Sequence, residues 1–203
     1  MVFEVIFDIE TKKFFDEITG RNPGDLGVSL VCLYARELDE DFKEISGQMH
    51  SFFEKDFDQM WPLFLKADRI VGFNSLNFDV PALKPLAPPQ WPKLPHLDIL
   101  AHIKDASGKR VSLNSVARET LKIEKNDWGE NAVKYWEKGD KESLEKLEKY
   151  CRMDVEITKK IYDYVYLHKK LSYKDFWNSL RSVDVDFSYP ANFTSSGKQE
   201  SLF

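Results

Sequence analysis

The sequence predicts an α/β fold, a mixed sheet flanked by helices. Three observations predict it. Short apolar or alternating runs open the chain, a strand-like run returns at 69–73 after a helical stretch, and a long helical pattern dominates the second half. A chain of 203 residues suits one domain. Residues 1–187 are expected to form the folded body and 188–203 a polar, flexible tail.

Taken in order, Val2 to Ile9 is rich in Val, Ile and Phe and reads as a buried strand. Residues 12–26 hold Gly20, Asn22, Pro23 and Gly24 and read as a loop. Val28 to Ala35 reads as a second strand and Asp41 to Ser46 as a weaker third, together an antiparallel meander. From Phe52 to Lys66 the apolar residues Phe53, Phe57, Met60, Trp61 and Phe64 fall on one helical face, which Pro62 breaks or kinks. Arg69 to Phe73 is a short apolar strand. Phe78 to Leu86 is a brief helix with Pro81 near its first turn. Five prolines, from Pro85 to Pro95, predict a rigid, extended surface loop, and ordered structure resumes over Leu97 to Ile103. Ser112 to Leu121 reads as a capped amphipathic helix and 140–168 as the longest helix. Ser172 to Leu180 reads as a last helix, and Val183, Val185 and Phe187 alternate as in a strand.

Composition narrows the functional classes. The net charge of −5 argues against coating nucleic acid by bulk electrostatics, though not against an enzyme that acts on it. Residues 1–100 carry 10 Lys/Arg against 17 Asp/Glu and the remainder 19 against 17, so a phosphate-tracking surface is expected mainly from the second half. The two cysteines, Cys32 and Cys151, suggest no disulfide framework, which points to a reducing, cytoplasmic setting. No apolar run reaches the ~20 residues of a membrane span, so no membrane association is expected. The first residues lack the pattern of a secretory signal.

Chemistry concentrates in the acids. Asp8 and Glu10 stand two apart on the first strand, so their side chains share a face about 6.6 Å apart. Two carboxylates that close on a buried strand repel by about 4 kcal/mol at ~4 Å and an effective dielectric of about 20; a divalent cation reverses the sign. The bland reading ends the strand at Phe7, with both acids in water. Tyr150 and Asp154 are i and i+4 on the long helix, on a face that also carries Leu147 and Thr158 and therefore points inward. Here the bland reading is an ion pair with a lysine or a buried Tyr–Asp hydrogen bond. Asp79, just ahead of Pro81, could be an ordinary helix cap, and Asn74 an ordinary turn residue.

Three of these features in one order, Asp8/Glu10, Asn74/Phe78/Asp79 and Tyr150/Asp154, resemble the D-x-E, N-x3-F-D and Y-x3-D motifs of the DnaQ-like 3′–5′ exonucleases, the tyrosine-bearing DEDDy branch of the ribonuclease H-like fold. The likeness runs from residue 3 to about residue 162. A sister branch has histidine five positions before the last aspartate, where this chain has Lys149. The stretch Leu97-Asp98-Ile99-Leu100 adds a similarity to stand-alone bacterial exonucleases related to polymerase B proofreading domains.

The resemblance implies a ribonuclease H-like mixed sheet and two divalent cations, Mg²⁺ or Mn²⁺, which suit all-oxygen ligands. Asp8 would bridge the two, Glu10 and Asp154 would complete one site and Asp79 would serve the other. Tyr150 would orient the attacking water, and Thr11, Asn74 and Phe78 would contact the terminal nucleotide or brace the site. The implied partners are single-stranded DNA or DNA 3′ ends, with RNA as an alternative. A non-catalytic adaptor for nucleic-acid ends is the reading from another class.

The chain ends Gln199-Glu200-Ser201-Leu202-Phe203, which looks like the pentapeptide by which bacterial replication and repair proteins dock on the sliding clamp. Gln199, Leu202 and Phe203 are its expected contacts, Leu202 and Phe203 being apolar anchors that gain nothing unless buried against a partner.

Overall fold

The computed structural model describes residues 1–124, 130–191 and 193. Five strands form one mixed sheet in the order β3-β2-β1-β4-β5. Strands β1 (Val2–Thr11), β2 (Val28–Leu38) and β3 (Glu44–Phe53) are the antiparallel meander. Strands β4 (Arg69–Gly72) and β5 (His96–Asp98) continue the sheet in parallel from β1. The α/β class and the mixed sheet are therefore as the sequence predicts.

Central β1 is covered on both sides, and its alternation sorts its residues. Val5, Phe7 and Ile9 join a core with Phe64, Met60, Leu83 and Trp91, under α1 (Trp61–Lys66) and α2 (Asp79–Leu83). Ile6 faces the other way, into a core with Leu147, Cys151, Val155 and Ile161 of the longest helix. Side chains two apart on a strand share a face, so Glu4, Asp8 and Glu10 look toward that helix too.

Glu4 shows what a buried acid looks like when protein alone satisfies it. It stands opposite Arg36 in the β1–β2 register, with Arg36 Nη2 at 2.7 Å. It also accepts from the hydroxyls of Tyr162 at 2.7 Å and Tyr189 at 2.6 Å. Arg36 reaches on to Asp163 at 2.8 Å and Glu44 at 3.1 Å.

On the helical side lie α3 (Ile99–Ser107), α4 (Leu113–Val116), α5 (Glu130–Lys138) and α6 (Lys141–His168). Asp140 caps α6 by accepting from Ser143 N at 2.9 Å. Ser112 caps α4 by accepting from Ser115 N at 3.1 Å, and the helix widens to a π turn over Ala117–Leu121. The expected helices at 112–121 and 140–168 are thus present, and α5 fills a stretch that no sequence pattern indicated.

Four expectations need correction. The third strand is not Asp41–Ser46 but Glu44–Phe53. It is the edge strand beside β2, and its outer residues are polar enough to hide it. The stretch 52–66 is not one helix. Phe52 and Phe53 end β3, a 3₁₀ segment spans Glu54–Gln59, and Pro62 sits in the first turn of the short α1, where a missing N–H costs nothing.

The proline-rich stretch is not a plain surface loop. Its Trp91 is fully buried, edge-on to Phe7, Trp61 and Phe64, with Nε1 donating to Val80 O at 3.1 Å. Residues 172–180 are not helical. They belong to a hairpin of β6 (Lys170–Lys174) and β7 (Leu180–Asp184) whose turn is held by Asp175. Val185 and Phe187 are buried as their alternation suggests, but lie just past β7.

The packed body also runs past residue 187. Tyr189 lies 3.5 Å over the Arg69 guanidinium and stacks on Phe42, besides donating to Glu4. The pentapeptide with Gln199, Leu202 and Phe203 lies outside the described residues.

Candidate active site

The predicted acids arrive from three elements. Asp8 and Glu10 come from the end of β1, which is kept extended to Thr11 by pairing with β2 and bulges between Glu10 and Thr11. Asp154 and Tyr150 come from the inward face of α6, the face that also buries Leu147, Cys151 and Thr158. Asp79 is the first residue of α2, whose cap position is held by Phe78. Asp79 is therefore not the ordinary cap it resembled; its side chain is buried.

These groups bear on one another electrostatically. Burial pushes the Tyr150 phenol well above its ordinary range. The charges of Asp154, Glu10 and Asp8, and a hydrogen bond with Asp154, push the same way. Asp79 is pushed up to about 7 by burial and by the charges of Asp98 and Asp154, against hydrogen bonds from its own backbone and that of Ile9. Asp79 thus answers to Asp154 on α6 and to the backbone of β1 together. Ligand atoms of Asp8, Glu10 and Cys151 lie within 4.8 Å of one another. The Cys151 thiol approaches Asp8 O at 3.6 Å and Asp8 Oδ2 at 3.9 Å. Burial first, and then Cys32 and the two acids, raise that thiol well above its ordinary range. It therefore stays an S–H donor toward Asp8 rather than a thiolate ligand.

The neighbouring carboxylates of Asp8 and Glu10 favour a hard divalent cation. The donors are all oxygen, Glu10, Asp79 and Asp154 are buried, and their mutual repulsion is what a cation would relieve. Asp8 and Glu10 fit such a group, and Asp154 lines the same cavity as Asp8.

The site opens into a cavity of about 540 Å³ lined by Asp8, Asn74, Arg110, Ser112, Tyr150 and Asp154, among others. A second cavity of about 660 Å³ shares Asn74 and Arg110 with the first and adds Phe15, Arg21, Asn77 and Phe78. Thr11 and Glu10 line a smaller neighbouring cavity of about 210 Å³ with Phe78. Of the predicted contact residues, Asn74 thus sits on the first two cavities, Phe78 on the second and third, and Thr11 on the third.

The loop that carries Asn74 is built for its place. Asn74 has φ of +63°, in the left-handed region. The Asp98 carboxylate holds it there, accepting from Asn74 N at 2.8 Å and Leu76 N at 3.1 Å while capping α3 through Leu100 N at 2.9 Å. Gly72 permits the fold-back, since a Cβ there would stand 2.5 Å from Ser75 Cβ. Sequence reasoning missed Arg110, whose Nη2 lies 3.5 Å from Asn74 Oδ1. Nothing in Gly108-Lys109-Arg110 separates it from an ordinary solvated run. Cys151 was missed too, although its place beside Tyr150 on the buried helix face was a usable sign.

A family model described as RNase_H superfamily (RNase_H_2) matches residues 5–166. No curated protein matches the chain. Among solved structures, the family B DNA polymerase of the hyperthermophilic archaeon Pyrobaculum calidifontis is similar over 81% of this chain, with 18% identity and a TM-score of 0.60. The zinc-bound complex of E. coli ExoI with single-stranded DNA is similar over 81% of this chain, with 14% identity and a TM-score of 0.47. The chain spans only 24% of the polymerase and 40% of the ExoI chain.

Proposed function

The chain belongs to the RNase H superfamily, and from that premise we propose that it is a metal-dependent 3′–5′ exonuclease acting on DNA 3′ ends. The observation that carries the reading is that Asp8, Tyr150 and Asp154 line one cavity of about 540 Å³, with Glu10 beside Asp8. Cavities of ~300–1,000 Å³ are of ligand-binding size. The 3′–5′ polarity and the tyrosine branch rest on the motif set.

Asp8, Glu10, Asp79 and Asp154 would hold two divalent cations, Mg²⁺ or Mn²⁺. When bound, these supply charge neutralisation for an in-line attack of water on a phosphodiester. The chain's own residues do the rest. Tyr150, kept protonated by burial and its acidic neighbours, offers a hydroxyl that orients the attacking water; it is no base near neutral pH. Cys151 steadies Asp8 through its S–H. Asn74, held by Asp98, and Phe78 face the end of the strand, and Arg110 offers the cavity a positive charge against phosphate.

Asp8→Asn is expected to abolish release of nucleotides from end-labelled single-stranded DNA in Mg²⁺. Unchanged release from a clean preparation overturns the site. The product ladder on DNA and RNA oligomers side by side reports polarity and sugar choice, and degradation of RNA alone replaces DNA by RNA as substrate. The tail completes the reading. Gln199, Leu202 and Phe203 would dock on the bacterial sliding clamp and hold a weakly binding acidic enzyme near DNA. Deleting 199–203 is expected to abolish co-elution with the clamp and spare hydrolysis of short oligomers; surviving co-elution refutes the docking.

A further inference from the structure

The β6–β7 hairpin ends in the two most exposed large apolar side chains among the described residues, Phe176 at 92% and Trp177 at 80% relative exposure. Leu180 beside them is 62% exposed. Such rings on a loose loop would fold inward or average over many positions, but this turn is tightly held. Asp175 Oδ1 accepts from Trp177 N and Ser179 N, both at 3.0 Å, and Asp175 Oδ2 accepts from Arg181 Nε at 2.8 Å. Asp175 N donates to Ser179 O at 3.0 Å, and Asn178 N to Asp175 O at 2.9 Å, with Asn178 at a φ of +58°. Five hydrogen bonds therefore keep two rings in water, edge-to-face with centroids 5.2 Å apart.

The hairpin is also aimed. Ser172 exchanges two hydrogen bonds with Thr120 Oγ1, at 2.8 and 2.9 Å. Two residues on, Lys174 exchanges two with Ser115 Oγ, at 3.0 and 3.4 Å. Moving forward along β6 is thus moving backward along α4, toward Ser112 and Arg110. Those two residues line the candidate active-site cavity. The turn that bears Phe176 and Trp177 is directed to the cleft side of α4. Beside the turn, Arg181 is held by Asp175 at 2.8 Å, while Lys174 stands 4.0 Å from Glu119 with its side chain 34% exposed, so Lys174 is the cation that an anion there would meet.

We propose that Phe176 and Trp177 form a stacking platform for bases of a single-stranded nucleic acid whose 3′ end lies in the cleft. Every base presents a π face, so the platform grips without reading sequence, and Lys174 accompanies the phosphates. The inference rests on the exonuclease reading for the identity of the strand. It goes beyond that reading by giving the enzyme a second contact, distant from the reacting phosphate, that sets preference for strand length.

The test measures binding of 5′-fluorescein-labelled oligothymidylates of increasing length by anisotropy in an Asp8→Asn background, where no strand is consumed. Phe176→Ala and Trp177→Ala are expected to weaken binding of long strands on the order of tenfold each. The shortest oligomers should bind unchanged and Trp177→Phe should restore the loss. In the otherwise native enzyme, the same alanine variants should raise KM for long strands and leave turnover of the shortest unaffected.

Equal affinities of parent and variants at all lengths overturn the platform. So does concentration-dependent self-association in sedimentation that the alanine variants abolish while strand binding persists, since the rings then serve a second copy of the chain. Failure of the exonuclease reading looks different. It appears as the absence of metal-dependent nucleotide release from unmutated protein, with the hairpin variants irrelevant to it.

Discussion

Asp79 is an acid whose chemistry changes strongly on folding. Its carboxyl titrates at about 7 in the folded chain, against about 3.9 when unfolded. The folded protein therefore binds the proton more tightly. Without a divalent cation, stability falls as pH rises from about 4 to about 7 and levels off above, by on the order of a few kcal/mol. Asp79→Asn is expected to flatten that slope in EDTA, read as melting temperature against pH, and Mg²⁺ to erase it in the parent. Parallel curves for parent and variant would refute the assignment.

At this scale the sequence was generous with acids and silent about what supports them. Asp8, Glu10, Asp79, Asp154 and Tyr150 stand out through the order of three motifs that resembles a known family; each motif alone reads as well as a solvated pair, an ion pair or a helix cap. Arg110 and Asp98 act through contacts with Asn74, and their partners lie 36 and 24 positions away. No local pattern carries such a pairing.

Among elements, the turn between β4 and α2 is tightly constrained. Gly72 faces Ser75 at a separation that no Cβ tolerates. Gly72→Ala is expected to cost about 1–3 kcal/mol, seen as a lowered denaturation midpoint. It should also displace Asn74 enough to reduce turnover beyond the stability loss. A variant with normal turnover would mean that this turn is not coupled to the site.

Elements buried on both faces or along a long amphipathic stripe, β1, β2, β4 and α6, were legible because their hydrophobic period is theirs alone. The edge strand β3 was misplaced because residues 44–48 are exposed and show no apolar alternation. The hairpin was taken for a helix because its evidence is non-local. The pairing of Leu171 with Val183, and the side-chain bonds from Ser115 and Thr120, decide it. The run Phe53–Phe64 imitates a helix because Phe53 at the end of β3 and Phe57 of the 3₁₀ segment fall in phase with α1.

Considered as a whole, the molecule is a sheet with an apolar layer rich in aromatic residues on one side and the long helix on the other, and the acids of β1, Glu4, Asp8 and Glu10, face the long helix. Among the described residues no helix is long and apolar enough to cross a membrane. The far end of β1 is bound to the rest of the body by Glu4, Arg36, Tyr162 and Tyr189. Glu4→Gln leaves Arg36 buried beside a neutral amide. It is expected to cost about 3–5 kcal/mol, the usual loss for half of a buried ion pair. Nucleotide release well below the new melting temperature should persist. A variant that melts like the parent would show that Asp163 and Glu44 suffice for Arg36.

That ion pair has a consequence for accuracy of assembly. A strand sliding by one residue exchanges its two sides, which would turn Asp8 and Glu10 into the rings around Phe7 and Trp91. A slide by two would keep the sides but part Glu4 from Arg36, its opposite number across the ribbon. Glu4 is thus the alignment mark of its strand: an acid with no share in the chemistry guarantees where the working acids come to rest.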